Sequence, residues 1–218
     1  MPGPSQTVSA LRSLLAARFP ERARRPCGGP PAGVRAIDDA LGGGLPAGRL
    51  TELVSAVPSG GGQTVFARLL GAAQAARRRV ALIDGADGFA PGDVPADELR
   101  HLVWVRCREP GQAFAVADIL VRDGNYAAVV LDLRGCAERA LRRTPASTWY
   151  RLQRAAEGGS VAVLVQTTRP LVPAVPWRLV LETPIPLADA GDPREAVADR
   201  LAVRAERSHP LAAEAIAG

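Results

Sequence analysis

The ten residues from Ser55 to Thr64, SAVPSGGGQT, have the frame of a phosphate-binding loop. Loops of that kind read G-x-x-x-x-G-K-[ST]. Their backbone N–H groups wrap phosphates at a helix N-terminus, the lysine neutralises charge, and the hydroxyl holds a magnesium ion. Aligned on Gly62 and Thr64, the lysine position holds Gln63 and the opening glycine is Val57. Pro58, Gly60, Gly61, Gly62, Gln63 and Thr64 form the candidate nucleotide site, and Asp132, after the apolar run AAVVL, stands where a carboxylate would meet the magnesium. Gln63 is neutral and shorter than lysine, so one hydrogen bond replaces a full charge against a tetra-anionic nucleotide. The glycines also admit a purely structural role as a strand-to-helix turn, with Asp132 capping a strand end.

The elements around the loop are legible from periodicity. A strand from Arg49 to Ser55 enters it, and TVFARLLGAAQAA leaves it with apolar residues at helical spacing. Four further near-continuous apolar runs, RVALIDG, HLVWVRC, YAAVVLDL and SVAVLVQT, read as strands, those buried on both faces having this character. GQAFAVADILVRDG and ASTWYRLQRAAEGG read as helices between them. This alternation predicts an α/β fold, three-layered around a mostly parallel, doubly wound sheet. WRLVLET and DRLAVRAER lack a long helix between them and are expected as antiparallel edge strands. Upstream, a short helix around Ile37 to Leu41 ends in glycines. Val8, Leu11, Leu15 and Phe19 make one helical stripe, followed by a Pro- and Arg-rich linker from Pro20 to Pro31. The expected organisation is an N-terminal helix and linker over 1–31, one core over 32–207, and a tail over 208–218.

Composition narrows the function classes. The 218 residues, 47% hydrophobic, are enough for one domain with a large core. All 27 basic residues are arginine, so no lysine elsewhere in the chain can stand in for the missing one. A net charge of +5 permits contact with nucleic acid or acidic proteins without requiring it. Cys27, Cys107 and Cys136 are odd in number without CxxC spacing, and His101 and His209 are isolated, which speaks against a zinc site or disulfide framework. No signal-peptide pattern and no apolar run near membrane-span length is present, so a soluble, cytoplasmic protein is expected.

The order IDDALGGGLPAGRLTELV, loop, RVALIDG, AAVVLDL, VAVLVQT resembles the core of RecA-family recombinases from Gly33 to Thr183. ALGGGLPAGRLTEL ahead of the loop carries most of the resemblance. It implies a RecA-like fold in which Asp132 is the Walker B aspartate and Gln166 the glutamine that ends the sensing strand. It also implies that a glutamate after the second core strand should activate water, where this chain has Ala86, with the shorter Asp87 one position on. Loss of a charge that stabilises a transition state costs several kcal/mol, on the order of a thousandfold in rate. With both lysine and base absent, no ATP hydrolysis and no cofactor are expected.

A RecA-like core stripped of its ATPase residues resembles the ImuA family. That resemblance implies an adaptor in DNA-damage-induced mutagenesis by translesion synthesis, associated with the nucleoid after damage. Its implied partners are an ImuB-type inactive relative of Y-family polymerases, through it an error-prone replicative-type DNA polymerase, and RecA itself. The Val8, Leu11, Leu15, Phe19 stripe suits docking onto a RecA-like partner, or equally folding back onto this chain's own core. The loop RGCAERALRRTPAS offers Arg134, Arg139, Arg142 and Arg143 as candidate DNA contacts, or as a solvated face. The loop TTRPLVPAVP has three prolines, one arginine and no stacking aromatic before Trp177, a poor grip for single strands. Two alternatives stand beside the adaptor: a SulA-like inhibitor of cell division in the SOS response, and an ATPase with an unorthodox P-loop.

Overall fold

A computed structural model describes residues 28–57 and 59–207. The stripe of Val8, Leu11, Leu15 and Phe19, the 208–218 tail and Pro58 lie outside the described residues.

Seven strands form one sheet: β1 (Leu50–Ser55), β2 (Val80–Asp84), β3 (Leu102–Arg106), β4 (Ala128–Asp132), β5 (Ala162–Thr167), β6 (Trp177–Leu181) and β7 (Val203–Arg207). Their order across the sheet is β3-β2-β4-β5-β1-β6-β7. Every neighbouring pair is parallel except β6 with β7. β1, β2 and β5 are buried along their whole length, as their unbroken apolar runs predict.

Helices cover both faces. On one lie α1 (Arg35–Leu41), α2 (Gly62–Ala75) and the short α3 (Ala96–Leu99). On the other lie α4 (Pro110–Asp123), α5 (Glu138–Arg142) and α6 (Ala146–Ala156). A last short helix, α7 (Arg194–Asp199), packs against α2. Val65, Phe66, Leu69, Leu70 and Ala73 of α2 recur at helical spacing and bury against Leu53, Leu82, Val130 and Leu164 of the sheet. The opposite core joins Ala113, Phe114 and Ala117 of α4 and Trp149 and Leu152 of α6 to Ile83, Leu131 and Val163. Phe114 and Trp149 meet edge to face with ring centroids 4.7 Å apart. The result is the three-layer α/β arrangement expected from the sequence.

The strand near the C-terminus departs from expectation. β7 is an antiparallel edge strand, but β6 runs parallel to β1 inside the sheet, with Thr51 opposite Trp177 and Ser55 opposite Leu181. A parallel neighbour requires the chain to return along the strand length, usually through a helix. Here residues 168–176 make that return without one, burying Val172 and Val175 in the second core. The short α1, α3, α5 and α7 hold few residues each; of these only α1 is foreshadowed in the periodicity.

Candidate functional site: a glycine loop closed by an arginine

All parallel strands end on one edge of the sheet, and β1 opens there into the glycine loop that leads to α2. Gly61 caps α2 with φ 91°, a left-handed conformation that costs side-chain-bearing residues strain. A Cβ at Gly61 would also lie 2.5 Å from Leu201 Cδ2. The first bond of α2 runs from the Val65 N–H to the Gly61 carbonyl at 2.9 Å. The N–H groups of Gly62, Gln63 and Thr64 therefore project from the helix end, the arrangement that binds anions. A cleft of about 640 Å³ opens over them. Ser55, Gly62, Gln63, Thr64, Arg134 and Thr168 give it polar groups, while Val57, Ile185, Pro186 and Leu187 form an apolar lip.

Arg134 is the residue whose position the sequence leaves unforeseen. Its guanidinium turns back from the end of β4 onto Asp132, with Nε 2.9 Å from Oδ1 and Nη2 2.5 Å from Oδ2. The backbone N–H of Arg134 adds a bond to Oδ1 at 3.1 Å. Both carboxylate oxygens of Asp132 are thus engaged by the residue two positions on. Arg134 Nη2 also reaches Gln63 Oε1 at 3.4 Å, and Nη1 stands where a Cβ on Gly62 would be. A fork of this kind matches a carboxylate at two points and holds a fixed geometry. The structure therefore gathers Gly60, Gly61, Gly62, Gln63, Thr64, Asp132 and Arg134 around one helix terminus.

Gln166 lies opposite Asp132 in the sheet register and is buried, and neither atom of its amide has a partner among the described residues. Ser55 Oγ, beside Gly62, is likewise buried and unpartnered.

These residues do not fit a magnesium–nucleotide complex. Both oxygens of Asp132 are committed to a guanidinium, that guanidinium crowds the Cβ side of Gly62, and Gln63 supplies no charge. The position expected of a water-activating glutamate is Ala86, whose Cβ faces Gly135. Asp87, the neighbouring carboxylate, points elsewhere. It pairs with Arg106 through two bonds of 2.5 Å at the β3 side of the sheet, and the Arg106 hydrogen bond holds its carboxyl below the ordinary range. Asp84 fixes that loop by accepting from the N–H groups of Gly88 and Phe89 at 2.9 Å, with Trp104 Nε1 at 3.3 Å.

The two candidate DNA loops are also tied down. In residues 133–145, Arg134 is turned inward and Arg142 pairs with Glu138, which Arg169 contacts as well. Arg139 and Arg143 remain exposed. Residues 168–176 are pinned by Glu52, a carboxylate with no exposed surface in the middle of β1. Its Oε1 accepts from Leu171 N–H at 2.6 Å, Val172 N–H at 3.1 Å and Thr167 Oγ1 at 3.2 Å. Its Oε2 pairs with Arg178 Nε at 2.7 Å, and Arg178 Nη2 closes the ring on the Val172 carbonyl at 3.0 Å. The signal for Glu52 is visible in retrospect: a lone carboxylate inside a strand buried on both faces must be matched by several donors.

A three-layer, mostly parallel α/β core with a strand, a glycine loop and a helix at its centre defines the class. No protein-family model matches the chain. The RecA protein of Nocardia farcinica is 38% identical over 123 residues, covering 53% of this chain and 34% of that protein. The RecA protein of Rubrobacter xylanophilus is 34% identical over 119 residues with the same coverage. The chain is a distant RecA homologue over about half its length, and it spans about a third (34%) of the curated relatives it matches. Among the described residues, no helix is long and apolar enough to cross a membrane.

Proposed function

We propose that this protein is a RecA-like adaptor without ATPase activity, acting in DNA-damage-induced mutagenesis in the manner of the ImuA family. It works by protein contacts with an ImuB-type inactive relative of Y-family polymerases and, through it, an error-prone replicative-type DNA polymerase. RecA is its second partner, and it joins the nucleoid after damage. The observation that carries the reading is the Arg134–Asp132 fork, which takes the carboxylate a magnesium ion would need and sets its guanidinium beside Gly62. Gln63 and Ala86 at the two charged positions of the hydrolytic set support the same conclusion. So does the Glu52 anchor, since a loop whose Leu171 and Val172 N–H groups are both bound to a buried carboxylate is not free to follow a single strand.

The experiment has three arms. Purified full-length protein is assayed for magnesium-dependent ATP turnover, a strain lacking it is scored for ultraviolet-induced mutation frequency, and tagged protein expressed in the parent strain is scored for co-purification of the ImuB-type partner. Expected are no turnover, a mutation frequency at the uninduced level, and a stable complex. Turnover that disappears in Thr64→Ala would remove the adaptor reading in favour of an ATPase.

A further inference from the structure

We propose that the cleft over α2 is a docking site for a protein segment that presents one carboxylate between apolar side chains. The inference rests on the reading of this chain as a non-hydrolysing adaptor and names the chemistry its partner must carry.

Charge decides the class of ligand. A helix N-terminus contributes the equivalent of about half a positive charge. Arg134 adds one positive charge, and Asp132, gripped by it, removes one. The cleft floor is left with the helix terminus and the projecting N–H groups of Gly62, Gln63 and Thr64, together with the buried Ser55 Oγ beside them, which has no partner among the described residues. That suits a single negative charge. It is far short of what a triphosphate needs, which is a lysine and a divalent cation in addition to the helix.

The walls decide the rest. Leu187 is 91% exposed, an unusual state for a leucine, and stands at the lip with Ile185 and Pro186. The Ile185 N–H donates to the Ser59 carbonyl at 2.9 Å, which fixes this apolar lip to the glycine loop. An acidic side chain entering the helix terminus would therefore place its neighbours against Leu187 and Val57. Peptide sequences of the form apolar–acidic–apolar meet both requirements, whereas a nucleoside triphosphate brings more negative charge than this floor can match.

The test uses ¹⁵N-labelled full-length protein titrated with acetyl-Leu-Asp-Leu-amide, acetyl-Leu-Asn-Leu-amide, acetyl-Gly-Asp-Gly-amide, inorganic phosphate, and ATP with magnesium. Saturable shifts of the Gly62, Gln63 and Thr64 amides are expected with the Leu-Asp-Leu peptide. Binding should weaken by about tenfold or more when either the carboxylate or the leucines are removed. Leu187→Ala, at a surface position that leaves the core intact, should weaken the Leu-Asp-Leu peptide by about tenfold without altering the melting temperature. Shifts with phosphate or ATP alone would overturn the proposal and mark a phosphate site. No shift with any probe would overturn it while leaving the adaptor reading in place, and ATP turnover would overturn both.

Discussion

Arg134 and Asp132, two residues apart at the end of β4, close on each other in a two-point ion pair directly over the first turn of α2. The pair accounts for the loss of lysine from the loop without leaving a vacancy: an arginine stands at the site already, and its charge is spent on the neighbouring carboxylate. Restoring Lys at position 63 should therefore not create an ATPase, because Asp132 stays engaged and Ala86 offers no base. A phosphate-release assay on Gln63→Lys that detects magnesium-dependent turnover would refute this.

The same pair should be visible in stability. Arg134→Ala leaves the Asp132 carboxylate partly buried without its main donor, at a cost of about 1–3 kcal/mol. In an Asp132→Asn background the same change should cost less, since the partner charge is already gone. Urea denaturation of the four proteins of the cycle measures the difference, and equal costs in both backgrounds would mean the pair is not coupled.

Gly61 and Gly62 should respond differently to substitution. Gly61→Val forces a branched side chain to φ 91° and against Leu201, and should destabilise by about 1–3 kcal/mol or more whatever surrounds it. Gly62 lies in helical backbone, and its obstacle is the Arg134 guanidinium. Gly62→Ala should therefore be harmful in the native background and much milder in Arg134→Ala, as read by thermal denaturation.

Glu52 is the costliest single site that the structure identifies. Glu52→Ala strands Arg178 and the N–H groups of Leu171 and Val172, and removing one partner of a buried pair costs about 3–5 kcal/mol. The loss should be accompanied by faster proteolysis within 168–176, followed by mass spectrometry of the first cleavage products. A stability change under 1 kcal/mol, on the order of a surface pair, would show that the anchor is dispensable.

Burial pushes the Cys136 thiol up to about 11 from an ordinary 9.0, with the Asp132 and Asp84 carboxylates adding to the effect. Because only the thiolate reacts, alkylation of native Cys136 at pH 8 should run about 100-fold slower than in the unfolded chain. The native rate should climb with pH up to that value. Peptide mapping after timed iodoacetamide treatment gives the ratio, and parity with the unfolded chain would contradict it.

Much of this protein is legible in its sequence because the relevant forces are local or periodic. The runs VALID, AVVLD and AVLVQT are apolar up to their polar C-terminal ends at Asp84, Asp132 and Gln166, the pattern of strands buried on both faces. The spacing of Val65, Phe66, Leu69, Leu70 and Ala73 allowed only a helix with its stripe on the sheet. The triple glycine before Gln63 marked the strand-to-helix turn, and the absence of lysine and of a glutamate at Ala86 was plain from the residues. What the sequence could not reveal depends on direction in space. Arg134 reads as one of several basic residues in a surface loop, and nothing in its spacing says that it folds back on Asp132. Glu52 and Arg178 are 126 positions apart, and only the parallel pairing of β1 with β6 brings them together. That pairing in turn fixes β6 inside the sheet and leaves β7 at the edge, a choice made by burial of Leu179 and Leu181 and by the Glu52 anchor, since the apolar pattern of either strand fits both arrangements.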